Sequence, residues 1–555
     1  IEGCNVLGWL AIQECRIAGS VAISGSSFSG NGDRDAISGY NTTVDGNFTA
    51  RDMVIHGCFS ASRLTVSGNL MLDGSSFNHQ VGTTLPKALD LSRAKIEGAL
   101  QLAPGKTRFI SRGRIHLDAA KLGGLVIKGA LLDGCGQPSI VADQVDIRET
   151  LDISGLSKDG LCQLESIGPM RFGSAIIGRQ IQLFDAVVGG EGEVLILYNS
   201  RVGGDITIGR EGVTTQFNGT VNADLCEVQG RLAFDNVDFQ APEHGINARQ
   251  AYVSKSIACH NISSHGPLRF DNSEANGMEL ENVTLQRASL PAVRAGMPQP
   301  YSQPEDVLLE LLHLQLKSDL RVENVAIING TIRLGEAAIG GSVQFSRIEI
   351  EAGGRLALIM QGVRIGGSFL FVGTPTKLAS VQGEISLMGA AIAGDATFTH
   401  IILGSPATPN KIVMRNATIK AGVQFYESIL HGEVNASSAR LSGDFLFHSS
   451  KLLNPDDTVC NLRGAWIDGQ LQWATAWRSA GDIACIIDGN VIADGVKVGS
   501  LSWHGVELAG NSAMILTNIH VERRIDSENL VAADTAQISL TGSSTPLLVD
   551  YFGER

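Results

Sequence analysis

Aromatic side chains make up only 5% of this 555-residue chain and charged ones only 18%. Charge this sparse beside 43% apolar residues argues against an intrinsically disordered chain. No uninterrupted apolar run reaches the length a bilayer requires, so no membrane span is expected. Basic residues are in deficit: the net charge of −14 argues against nonspecific binding of nucleic acid or of an anionic membrane. The nine cysteines include no C-x-x-C pair. Walker-type, H-E-x-x-H, G-x-S-x-G and EF-hand patterns are missing, and no G-x-G-x-x-G opens a helix after a strand. These gaps leave no recognisable nucleotide, zinc-peptidase, serine-hydrolase, calcium or dinucleotide site, so no cofactor and no metal are expected.

What is abundant is glycine, at 65 residues, and it falls at regular places. The stretch from Val434 to Leu452 carries apolar or small residues at Val434, Ala436, Ala439, Leu441, Gly443, Phe445, Phe447, Ser450 and Leu452. As a template it reads L-x-L-x-x-A-x-I-x-G-x-L-x-L-x-x-A-x-I. Alternation in short runs broken by two-residue steps is a strand period interrupted by corners, and it lacks the three-and-four spacing of a helix. The Ile slot recurs at Ile17, Val44, Val66, Ile96, Leu122, Ile147, Ile177, Val202, Val228 and Val253. A degenerate copy follows with Met278, Leu280, Val283 and Leu285, then Ile339, Ile365, Ile392, Ile419, Leu441 and Ile467, and looser copies near Val498 and Val521. Repeats of this length mean a solenoid, in which each coil buries its neighbour's apolar side and pairs its neighbour's backbone. Cys15 and Cys226 take the Ala slot, and Cys259 and Cys460 take Leu slots. They read as buried unpaired thiols, which favours a reducing, cytoplasmic setting, with an extracellular one as the alternative. The chain opens at Ile1 inside a repeat, without Met or a signal peptide, which reads as a fragment or a processed form.

The pattern breaks between 286 and 329, which divides the chain into a first solenoid half (1–285), an intervening segment and a second half (330–555). ASLPAVRAGMPQPYSQP is Pro-rich and irregular. At its end Ser302 and Pro304, followed by Glu305 and Asp306, resemble a helix start, and Leu308, Leu309, Leu311, Leu312, Leu316 and Leu320 make a broad apolar stripe. An amphipathic α-helix is therefore predicted over about 304–320, as a brace on the solenoid or as a docking element.

The A-x-L-x-x corners resemble pentapeptide-repeat proteins, which are right-handed quadrilateral β-helices. The two large residues of each L-x-L face and the Gly-x step depart from that family's strict period of five. AKIEGALQL at 94–102 and SRVGGDITI at 200–208 are similar to bacterial solenoid proteins often labelled membrane-associated oxidoreductases. No flavin, dinucleotide or redox-cysteine signature accompanies that label here. The expected fold is all-β: a right-handed β-helix or solenoid of about 19 coils of 22–30 residues with one inserted α-helix.

Stacking places the same slot of neighbouring coils side by side. The step after the L-x-L face reads Thr399-His400, Tyr426-Glu427, His448-Ser449 and Ala474-Thr475 in four successive coils. His400, Tyr426, Glu427 and His448 are thus expected on one edge, where such groups serve acid–base chemistry or a metal, or simply face solvent. The slot between the two large residues of the L-x-L face reads Thr397, Gln424, Leu446 and Gln472 in the same coils, an outward column without charge. Uncharged columns suit contact with another surface. Eight N-x-[ST] sequons, at Asn41, Asn47, Asn218, Asn261, Asn282, Asn329, Asn416 and Asn435, are what a turn-rich, Ser- and Thr-rich solenoid generates. The leading functional expectation is a non-enzymatic scaffold for a protein partner or for copies of itself. The alternative is a carbohydrate-binding or carbohydrate-active β-helix. It needs aligned carboxylates, and the slot after the Gly position offers only the scattered acids Asp205, Asp395 and Asp444.

Overall fold

A computed structural model describes residues 2–30, 35–78, 87–156, 163–240, 245–288, 306–475 and 484–551. Strands two to thirteen residues long follow one another with no α-helix among the described residues. Each strand pairs in parallel with its counterpart one coil on, as in Thr43↔Thr65↔Lys95 and Thr397↔Gln424↔Leu446. The fold is a parallel β-solenoid, built in two compact units, Ile1–Ala275 and Asn276–Arg555.

Inward slots carry the core. In the second unit Phe345, Phe371, Phe398, Phe425, Phe447 and Trp473 stack coil over coil, with centroids 4.7 Å apart and rings 6° from parallel for Phe398 and Phe425. The few aromatics of the chain are thus concentrated where identical slots meet, in the offset stacks that aromatic pairs favour. The Gly slot is tight: a Cβ on Gly367 would stand 3.0 Å from the Gly341 carbonyl of the coil before it.

Between the L-x-L side and the A-x-I side the chain turns through a left-handed residue three positions before each Ile slot. In the first unit this column includes Asn41, Arg63, Arg93, Ala119, Gln144, Ser174, Asn199, Leu225, Gln250 and Asn272; in the second, His313, Glu336, Gly362, Gly389, Asn416, Ser438, Gly464, Gly495 and Asn518. Glycine and asparagine visit this region at little cost, which explains their share of the column. A second left-handed corner follows the L-x-L side at Asn261, Asn282, Asn324, His400, Glu427 and Ser449. Of the sequon asparagines, Asn41, Asn261, Asn282, Asn329 and Asn416 all have positive φ, so backbone geometry accounts for their presence.

The helix expected over 304–320 is not formed. Residues 304 and 305, with the Pro-rich stretch before them, lie outside the described residues. From there Val307–Glu310, Gln315–Leu316 and Leu320–Glu323 are strands, paired as Leu316↔Ile339 and Leu320↔Val343. The stretch is an ordinary coil in which Leu314 fills the Ala slot and Ser318 the Gly slot. Leucine in nearly every inward slot imitates a helical stripe, yet His313 at φ 55° is a corner residue no helix accommodates. Backbone pairing with the next coil overrides local helical propensity. Ala326–Ile328 is likewise a strand of the same coil, so the intervening segment expected from 286 to 329 is solenoid wherever it is described.

Candidate interaction face

The uncharged column lies on consecutive strands of the second unit: Val343–Ser346, Phe369–Val372, Ala396–Thr399, Val423–Tyr426, Phe445–His448 and Trp466–Ala474. Each strand alternates a buried residue with an outward one, because successive side chains of a strand point to opposite faces. The register runs Arg321↔Gln344↔Leu370↔Thr397↔Gln424↔Leu446↔Gln472↔Ser502↔Asp526. A charge of each sign therefore brackets seven uncharged positions. Thr397, Gln424 and Gln472 are half-buried, whereas Leu446 retains only 9% exposure despite its outward slot. Gln424 and Gln472 flank it in register.

Two residues further along each strand, Thr399↔Tyr426↔His448↔Ala474 form the margin of this face. The Tyr426 and His448 rings stack at 5.1 Å and 12°. Burial lowers the His448 imidazole below its ordinary range; burial, then Asp395 and Asp444, raises the Tyr426 phenol. Both shifts favour neutral rings. His400 and Glu427 stand one position on, at the left-handed corner, with Nε2 2.7 Å from Oε2. The four residues expected on one edge are there, arranged as a stacked pair and a hydrogen-bonded pair on adjacent columns. Among the described residues no third His, Cys, Asp or Glu joins His400 and Glu427 closely enough to share an ion with them.

The acids of the slot after the Gly position have a structural task that sequence reading missed. Asp395 Oδ1 accepts the Gly422 N–H at 2.8 Å, Asp444 Oδ1 accepts that of Gln470 at 2.7 Å and Asp205 Oδ1 that of Arg231 at 2.8 Å. Asn47, Asn69, Asp319, Ser342 and Ser368 do the same for the coil that follows each of them. The Gly-x step takes those amides out of the strand ladder, and a short polar side chain from the neighbouring coil satisfies them. The common signal was a short acceptor (Ser, Asn or Asp) at one slot, not an acid.

The thiols divide. Cys226, Cys259, Cys460 and Cys485 are buried, and burial pushes Cys226 and Cys485 up to about 12. Cys15, expected to be buried, is exposed together with Cys4 and Cys135. No helix among the described residues is long and apolar enough to cross a membrane.

Comparison with family models, with curated proteins and with solved structures finds no match to this chain. The two family resemblances drawn from the repeat have no matched relative behind them. The parallel β-solenoid stands on the strand register alone.

Proposed function

We propose that this protein is a non-enzymatic β-solenoid scaffold whose uncharged sheet face docks against protein, foremost a second copy of the chain. The observation that carries the reading is the column from Gln344 to Ser502, free of charge and bracketed by Arg321 and Asp526. Interface centres are depleted of charge, and a strand face of several coils is large enough for the roughly 1,000 Å² or more that a specific contact buries. An antiparallel two-fold copy sets this column against the same column of its partner, the self-complementary arrangement of a two-fold interface. The carbohydrate reading draws less support, because its candidate carboxylates Asp205, Asp395 and Asp444 already accept backbone hydrogen bonds.

Sedimentation of the wild type and of Gln424→Lys with Leu446→Lys tests the proposal. Two unpaired charges inside such a contact cost several kcal/mol of association, so the wild type should sediment as a larger species and the variant as a monomer. Retention of one elongated partner from a native extract by the wild type only would place a different protein on the same face. Identical monomers with no partner retained would refute the reading.

A further inference from the structure

The first unit has an unassigned notch of about 470 Å³ along its left-handed corner. It opens where the corner column passes from Arg63 and Arg93 to Ala119, whose methyl group stands where the adjoining coils carry long side chains. Several arginines of this unit meet carboxylates, as Arg51 does Asp73, Arg108 Glu165, Arg201 Glu227 and Arg249 Asp224. Arg63 instead donates from Nη1 to the Tyr40 hydroxyl at 3.1 Å and lies over that ring. Among the described residues no carboxylate stands within ion-pair distance of Arg63 or Arg93, although the chain as a whole is acidic.

The carboxylates that line the notch are committed elsewhere. Asp118 Oδ1 accepts the Asp143 N–H at 3.0 Å and its Oδ2 is 2.8 Å from His116 Nε2. Asp143 Oδ1 accepts the Gly173 N–H at 3.0 Å, and its Oδ2 accepts from Arg171 at 2.8 Å. Asp90 and then Asp118 raise the His116 imidazole above its ordinary range, against its burial. What remains without a carboxylate partner is two arginines at the same slot of adjacent coils, whose backbones lie about 4.8 Å apart along the stack. Planar guanidinium forks suit the oxygens of a carboxylate or phosphate, and like charges on neighbouring coils are relieved when an anion binds beside them.

We propose that this notch binds one oxyanion, the carboxylate or phosphate group of a small ligand, over Ala119 and against the wall that Arg93 and Arg63 line. The Tyr40 hydroxyl, which accepts from Arg63, keeps its own proton to donate to the ligand. The site is independent of the sheet face of the second unit.

Calorimetric titration of the full chain with inorganic phosphate and, separately, malonate at fixed ionic strength tests this. One saturable equivalent is expected, weakened at least tenfold by Arg93→Gln and by Arg63→Gln and unchanged by Arg16→Gln. Ala119→Gln fills the notch while keeping both charges; Gln144 already occupies the same corner slot one coil on, so the variant should fold and yet lose binding. Tighter binding of malonate than of phosphate assigns a carboxylate ligand, and the reverse order a phosphate. Absence of saturable heat with both anions overturns the proposal. So does binding that survives Ala119→Gln, or a loss shared equally by Arg16→Gln.

Discussion

The Asp395 carboxylate accepts the backbone N–H of Gly422 at 2.8 Å, from one coil to the next. Asp395→Ala leaves a buried amide without an acceptor, and the cost should be about 1–3 kcal/mol of stability. Asp395→Asn keeps the acceptor and loses only the charge, so its urea midpoint should stay near that of the wild type. Equal losses in the two variants would mean that the charge, and not the acceptor, is what the site needs.

The left-handed corner column predicts two opposite substitutions. Leu225 sits there at φ 60°, a region that costs a residue with a Cβ about 1–2 kcal/mol and that asparagine visits readily. Leu225→Asn should therefore stabilise the first unit by about 0.5–1 kcal/mol. Gly389 has φ 66° and open space around its missing Cβ, so Gly389→Ala should cost about 1 kcal/mol through backbone strain alone. Chemical denaturation of both variants checks the pair. Loss of stability in both would show that contacts, not φ, govern these corners.

Acid should weaken the second unit through its imidazoles. Burial lowers His448, stacked on Tyr426, and also lowers His431. The unfolded chain takes up these protons near pH 6.5 while the folded chain still refuses them. Stability from these groups is thus fully present above that pH and is lost as pH falls through it towards the folded values. His116 in the first unit is raised and works in the opposite sense, adding stability at low pH that is lost as pH rises through its folded value. Urea midpoints between pH 7.5 and 5.5 should fall for the wild type and fall less for His448→Gln. Parallel curves would remove His448 from the account.

The coil, its inward slots and the column from Thr397 to Gln472 are legible in the sequence because a parallel in-register stack turns sequence repetition into spatial adjacency. The same logic placed Tyr426 beside His448 and His400 beside Glu427. Two kinds of information were hidden. Where one residue type fills unlike slots, as leucine does from Leu308 to Leu320, the strand period dissolves into a helical one, and only pairing with Ile339 and Val343 restores it. The left-handed corner is equally opaque, since Arg63, Arg93, Ala119 and Leu225 share a backbone state that their side chains do not advertise. The notch over Ala119 could have been found only by aligning corners and asking where a long side chain is missing.

The in-register ladder has a mechanical consequence. Asp395 binds Gly422, Asp444 binds Gln470, and each Ile slot pairs with the next, so the ladder bonds that hold a coil join residues one repeat apart in the chain. A pull on either end of a unit loads the outermost coil alone, and its neighbour feels the load only after that coil has come away. Each unit should pay out under tension in instalments of one repeat, roughly 70–100 Å of chain at a time, a ratchet of successive steps in place of a single rupture.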